Sequence, residues 1–372
     1  MGKKKSFWEK YALKQLTIQV QSSNENELYI LSEDELLVLE KIRINTYIKA
    51  GLAGALGIIL LYVPYNLFGE SLFPERTFFI PYIEMNIELE IEFWTYSLLL
   101  VLAEIYYLTF LNIKAVSAIA KTCGYPNDSD PYLQNNLDAL VNVGLEKKQK
   151  KLKKLGINPF DGLSKLGVWL FQLLIKLKAS VSGFLWKLLV QKILGRYALR
   201  MLVDLLGAPL YAAWNIYASR KVMNEARVRV MAPPLIHKFT NLLYSEFKEN
   251  EEFKRIIYDA MQAVSKTKRS FHYNHFLLAN SLLNKFEIEI KEDPQLNSNF
   301  LKEVNNLSPE IQNSVAKLIL FGIIIDGGLT IIEKRSIYRL NRAGVLNYTM
   351  EEINSWKEDF FAGKGLDAFF EG

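Results

Sequence analysis

The chain has 372 residues, is 50% hydrophobic and 23% charged, and carries a formal net charge of +5. A mean hydropathy of +0.05 excludes a chain that is mostly embedded in lipid. The length points to about two or three structural units. The single cysteine, Cys123, excludes an internal disulfide and a cysteine zinc site. Three histidines, His237, His272 and His275, leave little material for metal or nucleophilic chemistry.

The chain opens on MGKKKS, which fits an N-myristoylation pattern at Gly2 and Ser6. The Lys-, Asn- and Ile-rich composition reads as bacterial, where that modification is not expected, so the match is incidental. The first long apolar run starts too late for a signal peptide. Residues 16 to 31 suggest a short β-hairpin, LTIQVQ against ELYIL, around a polar turn. Ser32 then caps a helix, with Glu35 completing a capping box, and that helix runs straight into the next segment.

That segment, residues 47 to 68, has no charge from Ala50 to Phe68 and is long enough to cross a bilayer. Gly51, Ala53, Gly54, Ala55 and Gly57 are small residues that let helices approach closely in lipid. Tyr47, Tyr62 and Tyr65 suit the two interfaces. Residues 93 to 113 form a second span, opened by Trp94 and closed by Lys114. The connection, residues 69 to 92, holds six Glu and one Arg, whereas Lys41, Arg43, Lys49, Lys114 and Lys121 flank the opposite ends. The positive-inside bias therefore predicts a two-span hairpin with an acidic external loop and both termini cytoplasmic. Ile87, Leu89 and Ile91 alternate with Glu88, Glu90 and Glu92, which predicts a small hairpin with Phe78 to Ile83. Glu104 lies near the middle of the second span, where an ionisable group is costly. It serves a proton relay, a polar contact between helices, or a hydrogen bond to a tyrosine or to a second copy.

Downstream the charge changes sign. Lys147, Lys148, Lys150, Lys151, Lys153 and Lys154 form one run, and no acid occurs from Gly162 to Val203. Trp169, Lys176 and Trp186 lie within that acid-free stretch. Basic amphipathic helices with aromatic residues rest in the interface of an anionic membrane. The apolar content is too high for a nucleic-acid surface. A third span at 196 to 218 is the alternative, with Arg200 and Asp204 four residues apart inside it. Crossing there would put Arg220, Lys221, Arg227 and Arg229 outside, against the positive-inside bias. The helix through 215 to 229 is expected to end at Pro233 and Pro234. Asn215, Glu225, Arg227 and Arg229 form either a solvated face or a buried polar cluster.

Residues 235 to 290 read as amphipathic helices. His272 and His275 are three apart in FHYNHF, but no HExxH glutamate or third ligand accompanies them, so capping or packing is expected. Ser308-Pro309-Glu310 starts a helix, and the apolar run Leu318 to Ile325 stops at Asp326-Gly327-Gly328. Thr330 and Glu333 form a capping box, Gly344 ends that helix, and Thr349 with Glu352 opens another that stops near Gly363. The Asp-Gly-Gly stretch is thus an interhelical turn, with glycines for positive φ. A calcium loop would need Asp or Asn at alternate positions, and only Asp326 fits while Glu333 caps.

The stretch FGIIIDGGLTIIEKRSIYRL, 321 to 340, resembles the tellurite-resistance TerB-type helical domain, which is also found in membrane-anchored co-chaperones. Asp326, Gly327 and Glu333 stand at the matching positions, and the resemblance spans roughly the last 65 residues. It implies an all-helical module linked to membrane stress, with Asp326 and Glu333 as metal candidates. GINP at 156 to 159 and the EARVR stretch are similar to an uncharacterised bacterial membrane-protein family, which implies no mechanism.

The expected architecture is mainly α. It comprises a cytoplasmic N-terminal segment (1–46), a transmembrane hairpin (47–121), a basic membrane-surface region (122–232), a helical region (233–306) and a TerB-like domain (307–372). No nucleophile has a partner base and there is no phosphate loop, so no enzyme, no catalytic residue and no cofactor is expected. The expected role is a membrane-anchored scaffold or adaptor in the bacterial inner membrane. Its partners would be anionic lipid and a protein or a second copy. The alternative is a transport component that uses Glu104.

Overall fold

The computed structural model describes residues 5–17, 30–80, 85–125, 132–146, 155, 157, 207–270, 272–290, 297 and 299–371. The chain is mainly helical. In order, the helices are α1 (Phe7–Thr17), α2 (Glu33–Leu72), α3 (Ile91–Thr122), α4 (Leu133–Gly144) and α5 (Gly207–Phe247). They continue as α6 (Glu251–Lys268), α7 (Tyr273–Lys285), α8 (Phe300–Asn305), α9 (Pro309–Ile324), α10 (Ile331–Arg342), α11 (Met350–Ala362) and α12 (Asp367–Glu371). Between α2 and α3, β1 (Arg76–Ile80) pairs antiparallel with β2 (Met85–Leu89), with Phe78 opposite Ile87.

Two compact units share the chain. One comprises residues 1–39, 116–168 and 224–372; the other comprises 40–115 and 169–223. Each is therefore assembled from separate stretches of sequence.

In the second unit, α2 and α3 are long and apolar enough to cross a membrane, and the apolar window of each is only 28% buried. A core helix of that hydropathy would be mostly covered. On α3 the more sheltered positions are Phe93, Tyr96, Ser97, Leu100, Glu104 and Leu108, spaced as one helical face. Trp94, Leu98, Leu99, Val101, Leu102 and Ile105 are exposed around the rest. On α2 the buried face is Ala50, Gly51, Gly54 and Ile58, with Leu52, Leu56, Ile59 and Leu60 outward. Gly54 is there because nothing larger fits: a Cβ would stand 2.6 Å from the Tyr211 carbonyl oxygen of α5. This is the close backbone approach that small residues permit between helices.

Pro64 lies inside α2 and cannot donate to the carbonyl of Leu60. The Tyr96 hydroxyl of α3 donates to that oxygen instead, at 2.8 Å. An unpaired carbonyl in an apolar setting costs several kcal/mol, roughly, so this one bond lets the proline stay. Tyr65, Phe73, Phe93 and Tyr96 form an aromatic cluster at this end, with ring centroids 4.5 to 6.0 Å apart. The Tyr65 hydroxyl donates to Glu90 at 2.9 Å, and Arg76 pairs with Glu92.

In the first unit, α9 is the centre. Leu318, Ile319, Leu320, Phe321, Ile323 and Ile324 are all essentially buried, so the second half of α9 is covered on every side. Each such side chain contributes about 1.5–3 kcal/mol on leaving water. Phe321 packs on Phe239 of α5 at 4.5 Å and on Phe369 and Phe370 at 6.2 and 6.0 Å. α1 packs on α4, and Ser117 donates to the Gln15 carbonyl at 3.2 Å.

The local signals of sequence hold where they are strongest. Ser32 and Glu35 exchange bonds at the start of α2, Pro309 occupies the first turn of α9, and both Thr–Glu capping boxes are formed. Gly344 and Gly363 take φ +75 after their helices.

Three expectations change. Pro233 and Pro234 lie inside α5 rather than ending it. Ala232, Leu235, Ile236 and Phe239 are buried around them, and that packing outweighs the lost backbone bonds. Leu16 and Thr17, placed in a hairpin, end α1 instead; the rest of that hairpin lies outside the described residues. At the Asp-Gly-Gly turn only Gly327 takes positive φ, at +72. Also outside the described residues are the lipid-surface candidates Lys147, Lys148, Lys150, Lys151, Lys153, Lys154, Trp169, Lys176 and Trp186, together with Arg200 and Asp204.

Candidate functional site

Among the described residues, chemistry-bearing side chains gather at Glu104 in the second unit and in two adjoining groups in the first. Glu104 Oε1 accepts a hydrogen bond from Asn215 Nδ2 of α5 at 2.6 Å. Gly57 faces this carboxylate: a Cβ there would stand 3.5 Å from Oε2, in ordinary contact. Asn215 is itself buried. The partner of Glu104 is therefore a neutral amide from a segment 111 residues away, rather than a charge on the first span or a tyrosine hydroxyl. Such a bond ties two helices together.

The first of the adjoining groups lies at the Asp-Gly-Gly turn. Lys268, the last residue of α6, is buried with only 1% of its side chain exposed. Its ammonium donates to Asp326 Oδ1 at 2.7 Å and to the carbonyls of Ile323 and Gly328 at 3.2 and 3.0 Å. Glu333 Oε2 lies 3.0 Å from the same nitrogen. Asp326 also accepts from the Gly328 amide at 3.0 Å, and Glu333 from the Thr330 amide at 2.7 Å. A lysine ammonium thus sits among two carboxylates and two carbonyls, which is the oxygen set a hard cation would need. The two acids that the TerB-like resemblance offers as metal ligands are both paired with this residue.

Sequence reasoning missed Lys268. The signal was present: Phe253, Ile257, Ala260 and Val264 make the apolar stripe of α6, and Lys268 continues it in register. A charge on an apolar stripe implies a buried partner.

Beside this turn lies a second polar group. Arg229 Nε and Nη2 both stand 2.6 Å from Glu225 Oε1, one turn earlier on α5. His272 Nε2 stands 3.0 Å from the same oxygen. Burial alone would raise the Glu225 carboxyl, but the charge and hydrogen bond of His272, then those of Arg229, hold it at about 2. His272 Nδ1 accepts from the Asn274 amide at 3.2 Å and so caps α7. His275 is fully buried, with Nε2 2.8 Å from the Gly322 carbonyl. A carbonyl can only accept, so Nε2 carries the proton. Burial, followed by the charges of His272 and Lys268, pushes His275 well below the ordinary imidazole range and keeps it neutral. Asn274 Nδ2 donates to the carbonyls of Val228 and Ile325 at 3.2 and 2.6 Å.

The histidine pair is thus one cap and one packed residue. Among the described residues no group of three or more His, Cys, Asp or Glu is placed to hold a metal ion. Of the sequence cluster, Glu225 and Arg229 are joined, Asn215 serves Glu104, and Arg227 lies over the Phe361 ring at 5.2 Å. Compared with known proteins, the chain matches no family model, no curated protein and no solved structure.

Proposed function

We propose that this chain is a membrane-anchored scaffold or adaptor, held in a bacterial inner membrane as a two-pass hairpin with both termini cytoplasmic. One observation carries the proposal: α2 and α3 turn apolar rows outward, while the first unit commits its buried charges to one another. Leu52, Leu56, Leu98, Leu99 and Leu102 suit lipid. Lys268 is paired with Asp326 and Glu333, and Glu225 with Arg229 and His272. Groups paired in this way organise a fold and leave little free for acid–base or nucleophilic work.

The Asp326–Gly327 turn, entered from an apolar helix and left through the Thr330–Glu333 capping box, supports a TerB-like module at the C-terminus. The module would place the protein near envelope or metal stress, with its metal-ligand role taken over by Lys268. Its partners would be anionic lipid, through the basic stretch after residue 146, and a protein or second copy. The Glu104–Asn215 bond supports a packing role for Glu104 over an ion path.

Two measurements test the proposal. Reporter fusions after residues 46, 82, 150, 225 and 372 should place only the fusion at 82 outside. Fusions at 225 and 372 found outside would defeat the two-pass anchor and put a crossing at 196 to 218. In cells, Glu104→Gln should leave partner capture and phenotype unchanged. A lost phenotype in a variant that still folds would favour transport.

A further inference from the structure

Helix α10 carries an outward face that no part of the described structure covers. Ile331, Ile332 and Tyr338 are 72%, 57% and 60% exposed, although each is large and apolar or aromatic. Arg335, Arg339 and Arg342 are exposed as well. At about 100° per residue these six side chains fall within an arc of roughly 120°. The opposite side of the helix holds the buried Glu333 and Ile337. Glu333 is the only acid on α10, and Lys268 and the helix cap occupy it. Among the described residues, Lys334, Arg335, Arg339 and Arg342 have no carboxylate within ion-pair distance.

We propose that this face of α10 docks on an anionic lipid surface. Two isoleucines at the start of the helix enter the acyl boundary, Tyr338 sits at headgroup level, and the arginines meet lipid phosphates. The chemistry suits an anionic interface: Arg335, Arg339 and Arg342 lie on the same arc between Tyr338 and Ile332, and that face carries no acid. Arginine is suited to phosphate because its planar fork donates two bonds at once. A face this small would bind free lipid weakly. Here the helix belongs to a chain with two bilayer-length apolar helices, so lipid is supplied at high effective concentration. The inference rests on the membrane anchor proposed above. It adds a contact from the C-terminal region, apart from the basic stretch that follows residue 146.

The test uses the full chain in lipid nanodiscs, one copy per disc, with Ile332→Cys carrying an environment-sensitive fluorophore. The unsubstituted chain controls for labelling of the buried Cys123. Discs contain phosphatidylcholine alone or mixed with phosphatidylglycerol. The expected result is a blue shift and a loss of iodide quenching in the anionic discs only. High salt should reverse it, as should the triple variant Arg335→Gln, Arg339→Gln, Arg342→Gln. Equal emission in both lipids would overturn the proposal, and so would a shift that follows an added acidic protein or a second copy in place of the lipid. Incorporation is read separately by co-flotation with lipid. A chain that fails to float removes the anchor, and this docking with it; a chain that floats with an unshifted probe removes only the docking.

Discussion

Lys268 is a buried charge that joins α6 to the turn between α9 and α10. Its ammonium bridges Asp326 and Glu333 and closes that turn. Lys268→Met keeps the volume and removes the charge, leaving two buried carboxylates facing each other. Removing one partner of a buried pair costs about 3–5 kcal/mol. The midpoint of denaturant unfolding should fall accordingly, and adding Asp326→Asn and Glu333→Gln should restore part of it. An unchanged midpoint would mean that the turn is held by its backbone bonds alone.

Acid should act on two other residues. Glu225 is held at about 2 against an ordinary 4.5. A carboxyl that is lower in the folded state stabilises the fold above its unfolded value, and that gain is lost as the pH falls toward the folded one. His275 is held well below its ordinary value. Once the pH drops below about 6.5, the unfolded chain takes up a proton there that the folded chain refuses. Stability should therefore decline below about pH 6.5 and more steeply below about pH 4.5. His275→Gln should flatten the first decline and Glu225→Gln the second, read as unfolding midpoint against pH.

Among elements, α2 and α3 show how a proline can be tolerated in an apolar helix. The lone carbonyl at Leu60 is served by the Tyr96 hydroxyl. Tyr96→Phe should lower thermal stability in detergent or nanodiscs by about 0.5–2 kcal/mol. In a Pro64→Ala background, where the Leu60 carbonyl regains its own amide, the same change should cost much less. Equal losses in both backgrounds would show that Tyr96 acts only through the aromatic cluster.

Elements also mark the limit of what could be read from sequence. Helix starts were legible because caps act over three residues: Ser32 to Glu35, Thr330 to Glu333 and Thr349 to Glu352. The two long apolar helices were legible because apolar length with little charge is a local property. The continuation of α5 through Pro233 and Pro234 was not, since the packing that tolerates them comes from other helices. Asn215 was visible as a polar residue, but its partner Glu104 lies 111 positions away. Lys268 lies in KTKR, which looks like an ordinary solvated charge run, and Asp326 is 58 positions on.

Across the whole molecule, α9 sets what can stand alone. Its second half is covered on every side in the first unit, partly by Phe239 of α5. A fragment of residues 307–372 would therefore expose much of α9 to water. It should show helical far-ultraviolet circular dichroism with poorly dispersed amide resonances, or it should aggregate. A cooperatively folding fragment with dispersed resonances would show that the C-terminal segment is an independent domain.

The interleaving of the two units bears on how the protein is made. The first unit draws on residues 1–39, 116–168 and 224–372, so α1 and α4 leave the ribosome long before α9 exists to pack beneath the helices around it. At about 5–20 residues per second, the chain spends several seconds or more with that core unfinished. During that interval α2 and α3 are the segments already apolar enough to enter a bilayer. With α2 and α3 as the proposed anchor, insertion would precede folding, and the first unit would assemble last, on a chain already fixed in place. A ribosome stalled before residue 224 would leave the anchor intact and the first unit unbuilt, a half-product that the quality-control machinery of the membrane would have to recognise.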